Sequence, residues 1–332
     1  MLAKSLEKLG FQIIKGEKFS LSFYWLIKNR KKIGIIHLHY VQPLYCNREN
    51  TKANLFYVLK LAINLEFAKL LGYRVIFTLH NLTPTTPLRP KWIDYLGHWF
   101  AVNLSSRVIV HCSEAQRLLA NYYHRKRKVY IVDHPNFIDQ YPNEISKSEA
   151  RKKIGFPDNA LVYSFFGGIR PNKGIEILIQ AFIKLKNPDY RLLIAGDAKT
   201  MHSYERMLEK MSEKDKRIFF ISKFIADDEI QVILNAADIV VLPFSRILTS
   251  GSAILALSFA RPVIVPRLGC LPELINSDSG WVLENNDVDT LSQEMELAST
   301  QDFKQFGING YNSIKKFSYI TFGIQTAEVY LD

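Results

Sequence analysis

The sequence predicts an α/β protein of two doubly wound halves, and three observations carry that prediction. Short apolar runs rich in Val and Ile alternate with helical patterns from end to end, as parallel strands buried between helices do. The 332 residues exceed what one core usually organises, so two domains of roughly 150 residues are expected. A polar, proline-containing segment, YPNEISKSEARKKIGFPDNA (141–160), interrupts the alternation at mid-chain, and domain boundaries fall in such segments. Residues 1–145 are thus expected as one domain, 146–315 as a second, and 316–332 as a C-terminal helix whose return to the first domain is left open.

In chain order, MLAKSLEKLGFQII reads as an amphipathic helix over 2–9 leading into a strand. IGIIHLHYV (33–41) is a short β-branched run and reads as a strand. NLFYVLKLAINLEFAKLLG then repeats apolar residues at helical spacing and ends on Gly72, a natural C-cap. YRVIFTLH (73–80), SRVIVHCS (106–113) and KVYIVDHP (128–135) read as further strands. Between the first two of these, the aromatic-rich KWIDYLGHWFAVNL (91–104) reads equally as a core helix or one lying in a membrane interface, as does 2–9. After the break the strands restart with LVYSFFGG (161–168), YRLLIAGD (190–197), RIFFIS (217–222), ADIVVLPF (237–244) and RPVIVPRLG (261–269). Two such domains imply a cleft at the carboxyl ends of their strands, where these folds bind ligands.

The densest chemistry lies in FFGGIRPNKGIEILIQAF (165–182). Gly167-Gly168 ends a strand and a helix begins near Gly174, so the loop meets a helix N-terminus, where backbone N–H groups favour an anion. Arg170 supplies a planar fork and Lys173 a point charge, both suited to phosphate oxygens. The natural occupant is a diphosphate; the plain alternative is a strand-to-helix turn with exposed basic residues. A second anion site is suggested by Thr249-Ser250-Gly251-Ser252, an N-cap hydroxyl and open amides ahead of a small-residue helix. Two cations and two helix starts on one phosphate chain leave no need for a metal, and no paired-aspartate signature for nucleotide-bound Mg²⁺ is present.

Those segments, with LLIAGD, ARPVIVPRLGCLPELI and SGWVLENNDVDTL, and with IIHLHYVQP, TLHNLTP and VIVHCSEAQ earlier, resemble in order the landmarks of GT-B-fold glycosyltransferases. The likeness is to glycosyltransferase family 4 and related bacterial exopolysaccharide transferases of mannosyl or glucuronosyl type, and it covers almost the whole chain. It implies two Rossmann-like domains facing across a cleft, the first binding the acceptor and the second the nucleotide-sugar. It implies that Arg170 and Lys173 hold the diphosphate and stabilise its departure. The base would lie near Lys223, Phe224 and Ile225, with Gly167, Gly168, Ser250, Gly251 and Ser252 around the phosphates. His80 would reach the transferred sugar, and His37, His39 and His111 would lie on the acceptor side.

Two departures from that pattern stand out. The paired glutamates of the retaining family correspond here to Ile247 and Leu255, so a retaining outcome is not carried over. Inversion needs a general base for the acceptor hydroxyl, and His80 or His39 are the candidates; Asn81 stands where relatives often have Asp. The first strand that relatives begin with also has no counterpart, since the chain starts within the helix that follows it. The missing strand is expected to leave backbone groups and core apolar surface uncovered, unless another segment takes its place.

The formal charge of +11 divides unevenly: the first 145 residues carry 21 Lys+Arg against 9 Asp+Glu, and the remainder is nearly balanced. KNRKK (28–32) and HRKRK (124–128) are the densest clusters. They read as solvated loops or as a face for an anionic membrane; no nucleic-acid-binding pattern accompanies them. The cysteines, Cys46, Cys112 and Cys270, form no CxxC and are expected as buried free thiols. With neither a signal peptide nor a spanning apolar run, the expected place is the cytoplasm, with a peripheral position at the inner face of the plasma membrane left open. The expected partners are a UDP- or GDP-hexose donor and a lipid-linked or oligosaccharide acceptor, with no cofactor and no nucleic acid. The leading expectation is a hexosyltransferase; a nucleotide-sugar epimerase and a non-catalytic sugar-nucleotide-binding subunit remain as alternatives.

Overall fold

The computed structural model describes residues 2–16, 21–46, 54–84, 90–199 and 201–332. They divide into two compact units: Met1–Pro135 with Tyr319–Asp332, and Asn136–Ser318. Residues 136–145, which the sequence reading left with the first domain, pack with the second.

The first unit holds a parallel sheet in simple sequential order, β1 (Ile35–Leu38), β2 (Arg74–Thr78), β3 (Arg107–Val110) and β4 (Val129–Ile131). Alternation along β2 sends Ile76 to one face, where it packs with Ile109, Leu6, Phe322 and Tyr330. That face is closed by helices Leu2–Lys8 and Tyr319–Leu331, joined where Ser5 Oγ donates to the Tyr319 carbonyl at 2.6 Å. Both helix 2–9 and helix 91–104 therefore serve as packing helices: Leu6 is buried in the one, and Ile93, Ala101 and Val102 in the other. The strand expected after residue 9 is not formed, and 11–16 run without strand pairing. Phe11, Ile13, Leu21, Trp25 and Leu44 instead line a cavity of about 570 Å³ along β1.

The second unit holds six parallel strands, β5 (Leu161–Phe166), β6 (Tyr190–Gly196), β7 (Ile218–Ser222), β8 (Ile239–Val241), β9 (Val263–Pro266) and β10 (Gly280–Leu283). Their spatial order is β10-β9-β8-β5-β6-β7. One large core covers both faces, with Val162, Leu193, Val240 and Ile264 fully buried on the strands. Each such side chain contributes about 1.5–3 kcal/mol by leaving water. Arg151 is also buried, donating to the Asp238 carboxylate at 2.6 Å, so that unit closes on a compensated charge pair. Cys46 forms no disulfide.

Candidate functional site

In the second sheet the chain leaves β5 toward β6 and β7, then returns to lay β8, β9 and β10 on the opposite side. The order thus reverses between β5 and β8, and the crevice in which parallel α/β sheets bind ligands belongs beyond the ends of those two strands. The sequence places its glycines and cations on those two loops. Gly174, at φ +67°, ends the short 3₁₀ turn Pro171–Lys173 and starts helix Ile175–Lys184. A Cβ added there would stand 1.9 Å from the Pro243 carbonyl oxygen, so the loops interlock as only glycine permits. Ser245 N donates to the Asn172 carbonyl at 3.1 Å, and Asn286 Nδ2 donates to the Pro243 and Phe244 carbonyls.

Lys173 lies over the Phe244 ring, its Nζ 4.3 Å from the centroid. Burial, and then the charge of Arg170, push its ammonium down to about 8, and among the described residues no acidic side chain offsets them. Two cations held together in a half-buried crevice form a strong anion site. Gly167 brings in the other predicted loop: its Cβ position is 2.9 Å from Ser252 Oγ. Ser250 is the N-cap of helix Gly251–Ser258 and accepts from Ala253 N at 3.1 Å. The amides of Gly251 and Ser252, ahead of the capped Ala253, stand at the start of that helix, where no intrahelical acceptor is available to them. Gly168 lies against Arg170. Gly167, Gly168, Arg170, Lys173, Ser250, Gly251 and Ser252 are therefore brought together at the switch point. Phe224 and Ile225 follow edge strand β7, two strands away; Phe224 is 72% exposed, whereas the Ile225 side chain is buried in the core. Leu255 is likewise a core residue of its helix.

In the first unit the strand ends carry histidines. His39 Nδ1 and His80 Nε2 share a hydrogen bond at 3.0 Å. His37 is held by Thr78 Oγ1 at 2.7 Å and the Tyr330 hydroxyl at 2.6 Å. His111 Nδ1 donates to the Val132 carbonyl at 2.8 Å, and its buried Nε2 has no partner among the described residues. The ring of His134 meets that of His111, and Tyr40, largely exposed, stacks on His80 at 5.2 Å. Burial lowers the pKa of each of these imidazoles, His80 to about 3. They are neutral at pH 7, each offering one donor and one acceptor. Such groups suit hydroxyls, and a base role for His80 requires an anion beside it to raise its pKa. Among the described residues no three His, Cys, Asp or Glu side chains are arranged to hold a metal ion.

Sequence reasoning missed Phe244, which sits beyond the end of β8 in a run read wholly as strand, and His134, at the end of a run read only as a strand. The histidine pairs join residues up to 41 apart, so only the common position at strand ends signalled them.

Residues 160–300 match the family Glycosyl transferases group 1. Over 243 residues the chain is 27% identical to a GDP-mannose:glycolipid 4-beta-D-mannosyltransferase of Xanthomonas campestris pv. campestris, a match covering 71% of this chain and 62% of that enzyme. It is 31% identical over 172 residues to a GDP-mannose-dependent monoacylated alpha-(1-6)-phosphatidylinositol monomannoside mannosyltransferase of Corynebacterium glutamicum, covering 49% and 43% respectively. The matches thus span less than two thirds of either relative. Sucrose-phosphate synthase of Thermosynechococcus elongatus superposes with a TM-score of 0.75 at 16% identity, over 96% of this chain and 80% of that one. Anabaena HepE, solved with UDP, superposes with a TM-score of 0.73 at 20% identity, over 92% and 80%. The fold is GT-B, with two Rossmann-like domains.

Proposed function

We propose, from the Glycosyl transferases group 1 domain carried by residues 160–300, that this chain transfers a hexose from a nucleotide-sugar to a lipid-linked saccharide in exopolysaccharide or cell-surface glycan assembly. The observation that carries the reading is the Lys173 ammonium, seated beside Arg170 at the switch point and with no acidic partner among the described residues. A nucleotide diphosphate answers that charge, with the amides of Gly251 and Ser252 at a helix start beside it. As the glycosidic bond breaks, negative charge grows on the diphosphate, and the two cations stabilise it more than they stabilise the substrate. That charge compensation makes the reaction metal-independent. Phe224 offers an exposed face for the base, and His80 and His39 offer neutral imidazoles to sugar hydroxyls. The names of the relatives favour a GDP-hexose donor and a glycolipid acceptor.

A glycolipid acceptor calls for membrane contact, and the first unit has a face for it. Phe23, Tyr24 and Ile27 on helix Phe23–Asn29, and Ile63 and Leu70 on helix Leu55–Leu70, are exposed apolar side chains. Lys28, in the last turn of the first of these helices, and Arg30, Lys31 and Lys32, which follow it, are exposed. Apolar side chains rimmed by cations match an anionic bilayer surface.

The test is incubation of the protein with radiolabelled GDP- and UDP-hexoses, with and without membrane lipid extract, in the presence of EDTA. Label appearing in lipid is the expected result. Interconversion of the free nucleotide-sugar, or binding without turnover, overturns the reading.

A further inference from the structure

Beyond the strand-end histidines, the first unit has a cavity of about 240 Å³ lined by His39, Tyr40, His80, Asn81, Thr83 and His98 among others. It is smaller than the roughly 300–1,000 Å³ sites of drug-sized ligands, and so of a size for one sugar ring. His98 is the unexpected member. It sits on helix Lys91–Leu104 and is buried, yet it lines the cavity.

A hydrogen-bond chain fixes which nitrogen His98 offers. The fully buried Tyr45 hydroxyl lies 2.7 Å from Asp94 Oδ1 and 2.7 Å from His98 Nδ1. A carboxylate only accepts, so the tyrosine's single proton goes to Asp94. His98 Nδ1 also lies 3.3 Å from the Asp94 carbonyl oxygen, another acceptor. With acceptors on both sides, Nδ1 must carry the hydrogen, and Nε2 is left with its lone pair and no hydrogen-bond partner among the described residues. The chain is sterically provided for: a Cβ on Gly97 would strike the Tyr45 ring at 2.7 Å. Burial keeps the imidazole neutral by lowering its pKa, and burial with the Asp94 bond keeps Tyr45 un-ionised.

We propose that His98, held by Tyr45 and Asp94 with its Nε2 lone pair toward this cavity, accepts a hydrogen bond from a hydroxyl of a pyranose seated there. The exposed Tyr40 ring, stacked on His80, supplies the flat face such a ring packs against. Identifying that pyranose as part of the acceptor saccharide rests on the function proposed above; the cavity and its tautomer do not. A fixed acceptor selects for a hydroxyl at one ring position, since an analogue lacking it leaves a desolvated nitrogen unpaired. Tyr45 is then a positioning residue.

The experiment measures binding of methyl glucoside, mannoside, galactoside and xyloside to the full chain by saturation-transfer NMR, with GDP and UDP titrated in parallel. At least one pyranoside is expected to bind. His98→Phe should weaken it by about tenfold or more, the scale of one lost hydrogen bond, while nucleotide affinity stays unchanged. Tyr45→Phe preserves the ring and the cavity; it should release the single Nδ1–H tautomer in the imidazole ¹⁵N spectrum and weaken the same pyranoside, and it carries the test should His98→Phe not fold. Pyranoside binding unchanged in both variants, or absent from the wild type, overturns the proposal. Loss of the donor assignment reads differently: GDP and UDP would bind Lys173→Ala normally while pyranoside binding still depended on His98.

Discussion

At the scale of single residues, Arg170 and Lys173 carry the functional reading. Arg170→Ala and Lys173→Ala should each lower kcat by about 10²-fold, the usual cost of removing one transition-state donor. Near-normal turnover in either variant removes the phosphate assignment. Lys173 also has a pH signature, because burial and Arg170 bring its pKa to about 8 in the unliganded protein. Below that pH the group is charged and binds diphosphate; above it the free protein must first take up a proton. Affinity for GDP or UDP should therefore hold near pH 7 and fall by up to about tenfold per unit above pH 8. In Lys173→Arg, calorimetric titration should give a level profile, since the guanidinium stays charged. A level profile in the wild type refutes the assignment. Arg170 and Lys173 were legible in the sequence because GGIRPNKG concentrates glycine and cation between strand and helix. His98, Tyr45 and Asp94 were not, because they meet only when residue 45 folds against a helix some 50 residues on, and no local pattern announces that.

At the scale of elements, the histidines at the ends of the first sheet tie stability to pH. His37, His39, His80, His111 and His134 all have folded-state pKa values depressed below the ordinary 6.5. Below that ordinary value the unfolded chain takes up protons that the folded chain refuses, so stability is intact above about pH 6.5 and declines as pH falls. The slope reaches about 1.4 kcal/mol per pH unit for each histidine that stays neutral. A melting temperature that drops steeply between about pH 6.5 and 4, and drops less in His111→Gln, is the expected result. A flat profile over that window contradicts the buried neutral cluster. The strands themselves were readable from their Val and Ile runs, though too long at their ends. In ADIVVLPF only Ile239–Val241 pairs, since the following residues leave the sheet to brace the loop around Gly174. The strand expected after residue 9 rested on apolar residues alone; Phe11 and Ile13 satisfy their apolarity by packing against the first unit's core rather than by pairing.

At the scale of the molecule, the excess positive charge of the first 145 residues is spent in two ways. Arg125 is structural: its guanidinium donates to the carbonyls of Asn103, Ser105 and Ser106, fixing the turn into β3. The cluster at 28–32 is exposed instead, beside the apolar side chains of helix Phe23–Asn29. The protein should therefore float with phosphatidylserine-containing vesicles and not with phosphatidylcholine alone. Replacing Lys28, Lys31 and Lys32 by Gln should weaken that binding by more than tenfold, at about 1 kcal/mol per cation, without changing the melting temperature. Equal flotation of that variant and the wild type refutes the docking face. The meeting of Gly174 with the Pro243 carbonyl has a consequence for engineering. Because one loop fills the space that a side chain on the other would need, the two are heritable only as a set. A chimera that grafts in a relative's segment after β5 while retaining the native turn after β8 would be malformed unless both halves of the joint were exchanged together.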